Sequence, residues 1–232
     1  LYRGFVDELG PMDAAVIGGN LTATTEADFI DITLIGAVEP ELLVRRSTGR
    51  LSHAVLVTGF PGRSAAGLKL LQKAGPDEDL SGHPLIKAYN RPVHRAREGR
   101  ALARSGLVSA MIDTSDGLLG DLGHVCRESG LGADLFLERL PLDDDLKEAA
   151  AALEIKARDL VLGESDDYEL IITCQADRVE AVRRAVASAG RAPVAEIGRL
   201  TEVGQGLRLI GPGGDVRRVR SAGWDHFSGS RP

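Results

Sequence analysis

Asp113-Thr114-Ser115-Asp116-Gly117 sets two carboxylates and a hydroxyl side by side. Hard oxygen donors of this kind suit magnesium. They follow the apolar run Val108 to Ile112, which reads as a buried strand, and they precede Leu118 to Val125, whose apolar spacing predicts a helix. A strand-to-helix junction presents backbone N–H groups at the start of the helix, where anions are favoured. Phosphate held with a metal is the chemistry this combination would serve. The competing reading is local: Asp113 or Ser115 caps the helix, as these residue types often do.

A second acidic stretch, Glu164-Ser165-Asp166-Asp167-Tyr168-Glu169-Leu170, carries four carboxylates within six residues as it enters the apolar strand Ile171 to Cys174. Burial or a ligand has to compensate their mutual repulsion. Asp143-Asp144-Asp145 opens a predicted helix over 142–153, where negative charge complements the helix dipole, so this run reads as structural. Two glycine-containing turns follow predicted strands: Gly18-Gly19-Asn20 after Ala14 to Ile17, and Gly59-Phe60-Pro61-Gly62-Arg63-Ser64 after Ala54 to Thr58. Glycine lets a backbone approach a ligand closely, yet it also builds plain turns. The second turn lacks the lysine and spacing of a P-loop, which leaves Ser64 as a cap for the helix 65–74 or as a ligand contact.

The elements that must position these residues alternate between the two periodicities. Tyr2, Phe5, Val6 and Leu9 recur at helical spacing, and Phe29 to Val38 reads as a strand. Two helical pieces broken at Pro92 span 83–106, with Arg91, Arg95, Arg97, Arg100 and Arg104 on outer faces that read as solvated. Gly132 to Glu138 alternates like a strand, Arg178 to Ala189 is an amphipathic helix, and Val194 to Ile197 is a strand. Leu207 to Ile210 and Val216 to Val219 form a hairpin over Gly211 to Asp215. Gly223-Trp224-Asp225-His226-Phe227 brings the one tryptophan of the chain into its last ten residues, where a core anchor is the plain explanation. The expected fold class is α/β (α+β), a mixed sheet flanked by helices.

Composition narrows the function. A formal charge of −6 argues against nonspecific nucleic-acid binding, with local basic groups at Arg45-Arg46 and Arg217 to Arg220. No apolar run approaches the roughly 18 residues of a bilayer-spanning helix. Cys126 and Cys174 stand far apart without a metal-ligand spacing, and no charged-then-apolar leader opens the sequence, so a reducing cytoplasm is the expected compartment.

Several separate pieces together resemble the thiamine-monophosphate kinase family of the aminoimidazole-ribonucleotide-synthase superfamily. They are Gly18-Gly19-Asn20, Arg46-Ser47, Thr58-Gly59 with Ser64 to Leu68, Met111 to Leu118, Asp167 to Leu170, and Gly223 to Phe227. The resemblance implies ATP-dependent phosphorylation of thiamine monophosphate to thiamine diphosphate with Mg2+, in a two-domain subunit that forms a homodimer. It implies ATP contacts at Gly19, Asn20, Arg46 and Ser115, magnesium ligands at Asn20, Asp113 and Asp116, and substrate contacts at Asp166 and Trp224, with no residue assigned to the chemical step. Two positions depart from the family pattern: its turn reads Gly-Gly-Asp where this chain has Asn20, and its Glu is here Asp166. The matching pieces start late in the family pattern and Leu1 stands first, so the expectation is an incomplete part of the enzyme. Residues 1–39 would be a remnant of the amino-terminal ATP-binding domain, a helix end and two strands, and residues 40–232 the carboxy-terminal domain. The alternatives are a non-catalytic ligand-binding module and another ATP-using synthase of the same superfamily, such as a selenophosphate or purine-pathway enzyme.

Overall fold

A computed structural model describes residues 1–75 and 78–219. The motif Gly223 to Phe227, with Trp224, lies outside the described residues. The chain divides into two compact units, Leu1–Ala37 and Val38–Pro232.

In the first unit, α1 (Tyr2–Leu9) forms as its apolar spacing predicts and closes in a 3-10 turn at Gly10–Met12. The two strands expected at 14–17 and 29–38 do not form; this stretch carries neither helix nor strand. An apolar run becomes a strand only through a hydrogen-bonded neighbour, and the first unit offers none. Its apolar side chains are correspondingly exposed, Ile17 at 89%, Leu21 at 91% and Phe29 at 83%.

The second unit is a mixed sheet of seven strands among the described residues. They are β1 (Ala54–Thr58), β2 (Val108–Asp113), β3 (Leu131–Phe136), β4 (Leu170–Cys174), β5 (Val194–Glu202), β6 (Leu207–Ile210) and β7 (Val216–Val219), in the spatial order β2-β4-β1-β5-β3-β6-β7. Every pairing is antiparallel except β3 with β6. The helices are α2 (Arg63–Lys73), α3 (Pro84–Asn90), α4 (Ala96–Ser105), α5 (Leu118–Ser129), α6 (Asp144–Ala152), α7 (Ala157–Leu162) and α8 (Val179–Ala189). The unbroken apolar run of β1 follows from burial on both faces. Val55 and Val57 face a core built with Ala66, Leu85, Leu122, Leu146 and Leu160. Ala54 and Leu56 face a second core closed by Leu102 of α4 and Val179, Val182 and Val186 of α8. Fully burying a leucine or valine stabilises by about 1.5–3 kcal/mol, so both layers clamp the sheet on which the acidic loops are mounted.

The short helix α7 was not expected. Leu160, Val161 and Leu162 are consecutive and all buried, so the segment shows no polar face from which a helical period could be read. Cys126 and Cys174 are buried and free, and burial pushes both thiols up to about 11.

Candidate functional site

The two acidic stretches meet at one end of the sheet because β2 and β4 are neighbours, with Asp113 paired to Leu170 in register. Beyond the strands the backbones stay joined. Thr114 N–H donates to the Glu169 carbonyl at 2.8 Å, Tyr168 N–H donates to the Thr114 carbonyl at 2.9 Å, and Glu169 N–H donates to Thr114 Oγ1 at 3.0 Å. Tyr168 lies in the left-handed region at φ 55°, a conformation that costs a non-glycine residue on the order of 1–3 kcal/mol and that these bonds hold in place. Its phenol is pushed up by burial and then by the charges of Asp166, Asp113 and Asp116, so those three carboxylates share one electrostatic neighbourhood around a partly exposed ring.

Two further carboxylates of the second acidic stretch, Asp167 and Glu169, are satisfied internally. Asp167 occupies the start of α2, accepting from Gly62 N–H at 2.6 Å and Ser64 N–H at 2.8 Å, while Ser165 Oγ accepts from Ala65 N–H at 3.1 Å. Burial still raises the Asp167 carboxyl above its ordinary range, opposed by those amides. Glu169 is held by Arg95 and by Thr58 Oγ1, the latter at 2.5 Å. Ser64 therefore neither caps α2 nor faces a free anion site: the cap is Gly62, and the Ser64 hydroxyl donates to Asp166 at 2.7 Å. Arg95 likewise departs from the solvated reading, since its guanidinium is drawn inward onto Glu169. Asp143 behaves as expected, accepting from Leu146 N–H at 2.9 Å at the start of α6 while pairing with Arg63.

Just before α5, two loop amides are already taken. Asp121, almost wholly buried in the first turn, accepts from Ser115 N–H and Asp116 N–H, each at 3.0 Å. Gly117 is the cap and no side chain caps the helix, so Asp113 and Ser115 are not cap residues. Asp113 is exposed and Asp116 half-exposed. Among the described residues neither has a cationic partner, which leaves two uncompensated hard-oxygen donors in one loop. Their charge, after burial, raises the Asp121 carboxyl.

A divalent cation fits this donor set. Asp116, Asp121 and His124 bring ligand atoms within 4.8 Å of one another. Two of the three are committed elsewhere. One oxygen of Asp121 serves the loop amides, and His124 Nδ1 lies 2.6 Å from Arg127 Nη2, a bond in which the guanidinium must donate. Asp113 is not in that group, but like Asp116 it has no cationic partner among the described residues. Asp121, His124, Thr114 and Tyr168 were missed as site neighbours; the spacing of Asp121 within the first helical turn was the one signal that could have flagged its capture of the loop amides.

The remaining sequence-derived residues are dispersed. Asp166 is exposed in the loop beside Asp113 and Asp116. Ser115 shares that loop, with its side chain exposed. Arg46 pairs with Glu128 at 2.7 Å at the far end of α5 from Asp116, so the 12 residues of that helix, about 18 Å at 1.5 Å per residue, separate the two. Gly19 and Asn20 belong to the first unit, where both are exposed.

Comparison with known proteins identifies the family. Residues 53–209 match the family described as AIR synthase related protein, C-terminal domain. Thiamine-monophosphate kinase from Salmonella typhimurium is 32% identical over 217 residues, which is 93% of this chain and 64% of that protein. The Escherichia coli K12 thiamine-monophosphate kinase is 34% identical over 96% of this chain and 66% of its own length. Among solved structures, AaThiL complexed with AMPPCP and TMP superposes with a TM-score of 0.66 at 29% identity, covering 79% of this chain and 54% of that one. The chain thus spans somewhat less than two thirds of the curated relatives it matches.

Proposed function

Since the chain belongs to the AIR synthase related family through its C-terminal domain, we propose that it serves ATP-dependent phosphorylation of thiamine monophosphate to thiamine diphosphate. One observation carries the reading: Asp113 and Asp116, without a cationic partner among the described residues and both acting on Asp121 and Tyr168, stand at the junction where the family resemblance assigns magnesium. In phosphoryl transfer, catalysis is mostly positioning and charge neutralisation, and a bound Mg2+ supplies the neutralising charge. Asp113 and Asp116 would hold it, and Arg46 and Ser115 would contact ATP; Gly19 and Asn20, to which the resemblance assigns ATP and metal contacts, belong to the first unit. Because Asp121 takes the Ser115 and Asp116 amides of the loop before α5, those two amides are not the anion receptor, and metal and side chains would contribute to phosphate recognition. Asp166 and Trp224 would contact the thiamine moiety.

Trp224 is the one tryptophan in the sequence, so its fluorescence reports that contact directly. Thiamine monophosphate is expected to change the emission in a saturable way, with Mg2+ and a non-hydrolysable ATP analogue tightening the response. An emission that stays constant to millimolar thiamine monophosphate sinks the substrate assignment. Asn20, where the family has Asp, favours the alternative of a ligand-binding module without turnover; saturable binding with no ADP release from ATP under the same conditions would select it.

We also propose that residues 1–39 belong to the amino-terminal ATP-binding domain of the family, residues 40–232 to the carboxy-terminal domain, and that the first unit pairs with a second copy of the chain. Exposed Ile17, Leu21, Phe29, Leu34 and Ile35 support pairing, since contiguous apolar surface in water favours association. Sedimentation of the chain beside a version starting at Pro40 tests it. Self-association by the former alone is expected, and two monomers over the same concentration range would refute it.

A further inference from the structure

Arg95 is the residue that the acidic loops depend on and that no motif points to. It stands at the start of α4, and its guanidinium makes a two-pronged contact with Glu169, Nε to Oε2 at 2.7 Å and Nη2 to Oε1 at 2.6 Å. Both side chains are largely buried, at 17% and 8% exposure. Glu98 stands 3.8 Å from the same guanidinium and supplies a second negative neighbour. The geometry around Glu169 leaves no slack. A Cβ on Gly59 would fall 1.9 Å from Glu169 Oε1, so only glycine admits the carboxylate at that place. Thr58 Oγ1 donates to Glu169 Oε2 while accepting from Leu170 N–H at 2.8 Å.

Through its backbone the same Glu169 is bonded on both edges to Thr114, the residue between Asp113 and Ser115. A continuous chain of contacts therefore runs from α4 through Arg95 and Glu169 to Thr114 and so to the two free carboxylates. We propose that Arg95 is a positioning residue for divalent-cation binding at Asp113 and Asp116: its planar fork orients Glu169, and Glu169 fixes the loop that carries both ligands. The fork is what matters. Two parallel N–H groups orient a carboxylate as a single ammonium cannot. Charge contributes as well, because the bound guanidinium cancels one of the carboxylates crowded beside the site and keeps the loop from being driven apart.

The inference rests on the metal reading above, and its test separates the two. Mn2+, a paramagnetic stand-in for Mg2+, is titrated into the parent chain, into Arg95→Lys, and into the double variant Arg95→Met with Glu169→Met, with free Mn2+ followed by its magnetic resonance signal and thermal melts run in parallel. Replacing a buried ion pair by apolar side chains of similar volume tends to preserve stability, but Glu98, buried beside the same guanidinium, loses its cationic neighbour, so the double variant is titrated well below its own melting temperature, where it remains folded. It is nonetheless expected to bind Mn2+ at least about tenfold more weakly, the size of effect seen when the supports of metal ligands are removed, with Arg95→Lys in between. A folded double variant that binds Mn2+ as tightly as the parent overturns the positioning role and leaves the metal reading intact. Should the double variant fail to fold, parent-like affinity in Arg95→Lys does the same. A parent that binds no Mn2+ sinks both.

Discussion

Asp113→Asn and Asp116→Asn are each expected to weaken divalent-cation binding by at least about tenfold and to cut any thiamine-monophosphate phosphorylation by a similar or larger factor, because each removes a full negative charge from a hard-oxygen pair. Stability should move the other way. Neither carboxylate has a cationic partner among the described residues, and their negative charge bears on Asp121 and on Tyr168. Removing one relieves repulsion, so the melting temperature without metal should stay level or rise slightly. Added Mn2+ should then raise the parent's melting temperature and leave the variants' unmoved, since a ligand stabilises only the state that binds it. A variant that melts well below the parent in the absence of metal would show instead that the carboxylate is built into the fold.

That opposite pair of signs separates this site from the rest of the acidic surface. At the start of α2 and in the loop just before α5, backbone amides that could have received a phosphate are bonded from within, by Asp167 and by Asp121. Filling them turns two generic anion sites into rigid joints. Asp113 and Asp116 keep their charge free on a segment whose N–H groups at Thr114, Ser115 and Asp116 are already bonded. Binding a cation there need not rebuild the loop, which is the condition under which charge goes into binding and little is lost to ordering.

Most elements of the second unit were readable because their signals are local. The run Ala54 to Thr58 is apolar because both faces of β1 are covered, and the glycines at 106 and 130 end α4 and α5 with left-handed caps. The expected strands at 14–17 and 29–38 were misread for the complementary reason. Apolar composition states that a segment wants burial; it says nothing of whether a pairing edge is within reach. The candidate site divides in the same way. Asp113 and Asp116 show themselves by type and spacing, whereas the partners that neutralise Asp167 and Glu169 lie far off in sequence, Gly62 by 105 positions and Arg95 by 74. Repulsion among the carboxylates of 164–169 could be read from the sequence, and its remedy could not, because the remedy exists only once β2, β4 and β1 are side by side.

Gly117 is where those two kinds of information meet, and Gly117→Ala is expected to be the most damaging small substitution at the site. Its φ of +105° with ψ of 156° is a region open almost solely to glycine, at a cost on the order of 1–3 kcal/mol for other residues. An added Cβ would also fall 2.5 Å from the Gly163 carbonyl oxygen and 3.1 Å from Glu164 Cα. These are backbone atoms, so no rotamer change relieves the overlap, and displacing them should cost about another 1–3 kcal/mol. A chain of this size loses roughly 2–4 °C of melting temperature per kcal/mol, so a fall of about 5–20 °C is expected in thermal melts. Binding should suffer beyond the stability loss. Gly117 directly follows Asp116, so a backbone shift at 117 that relieves the overlap displaces the Asp116 carboxylate, and Mn2+ affinity measured well below the new melting temperature should also drop. Parent-like affinity in the destabilised variant would mean that the two acidic loops move independently, and that the contact at Gly117 serves the fold alone.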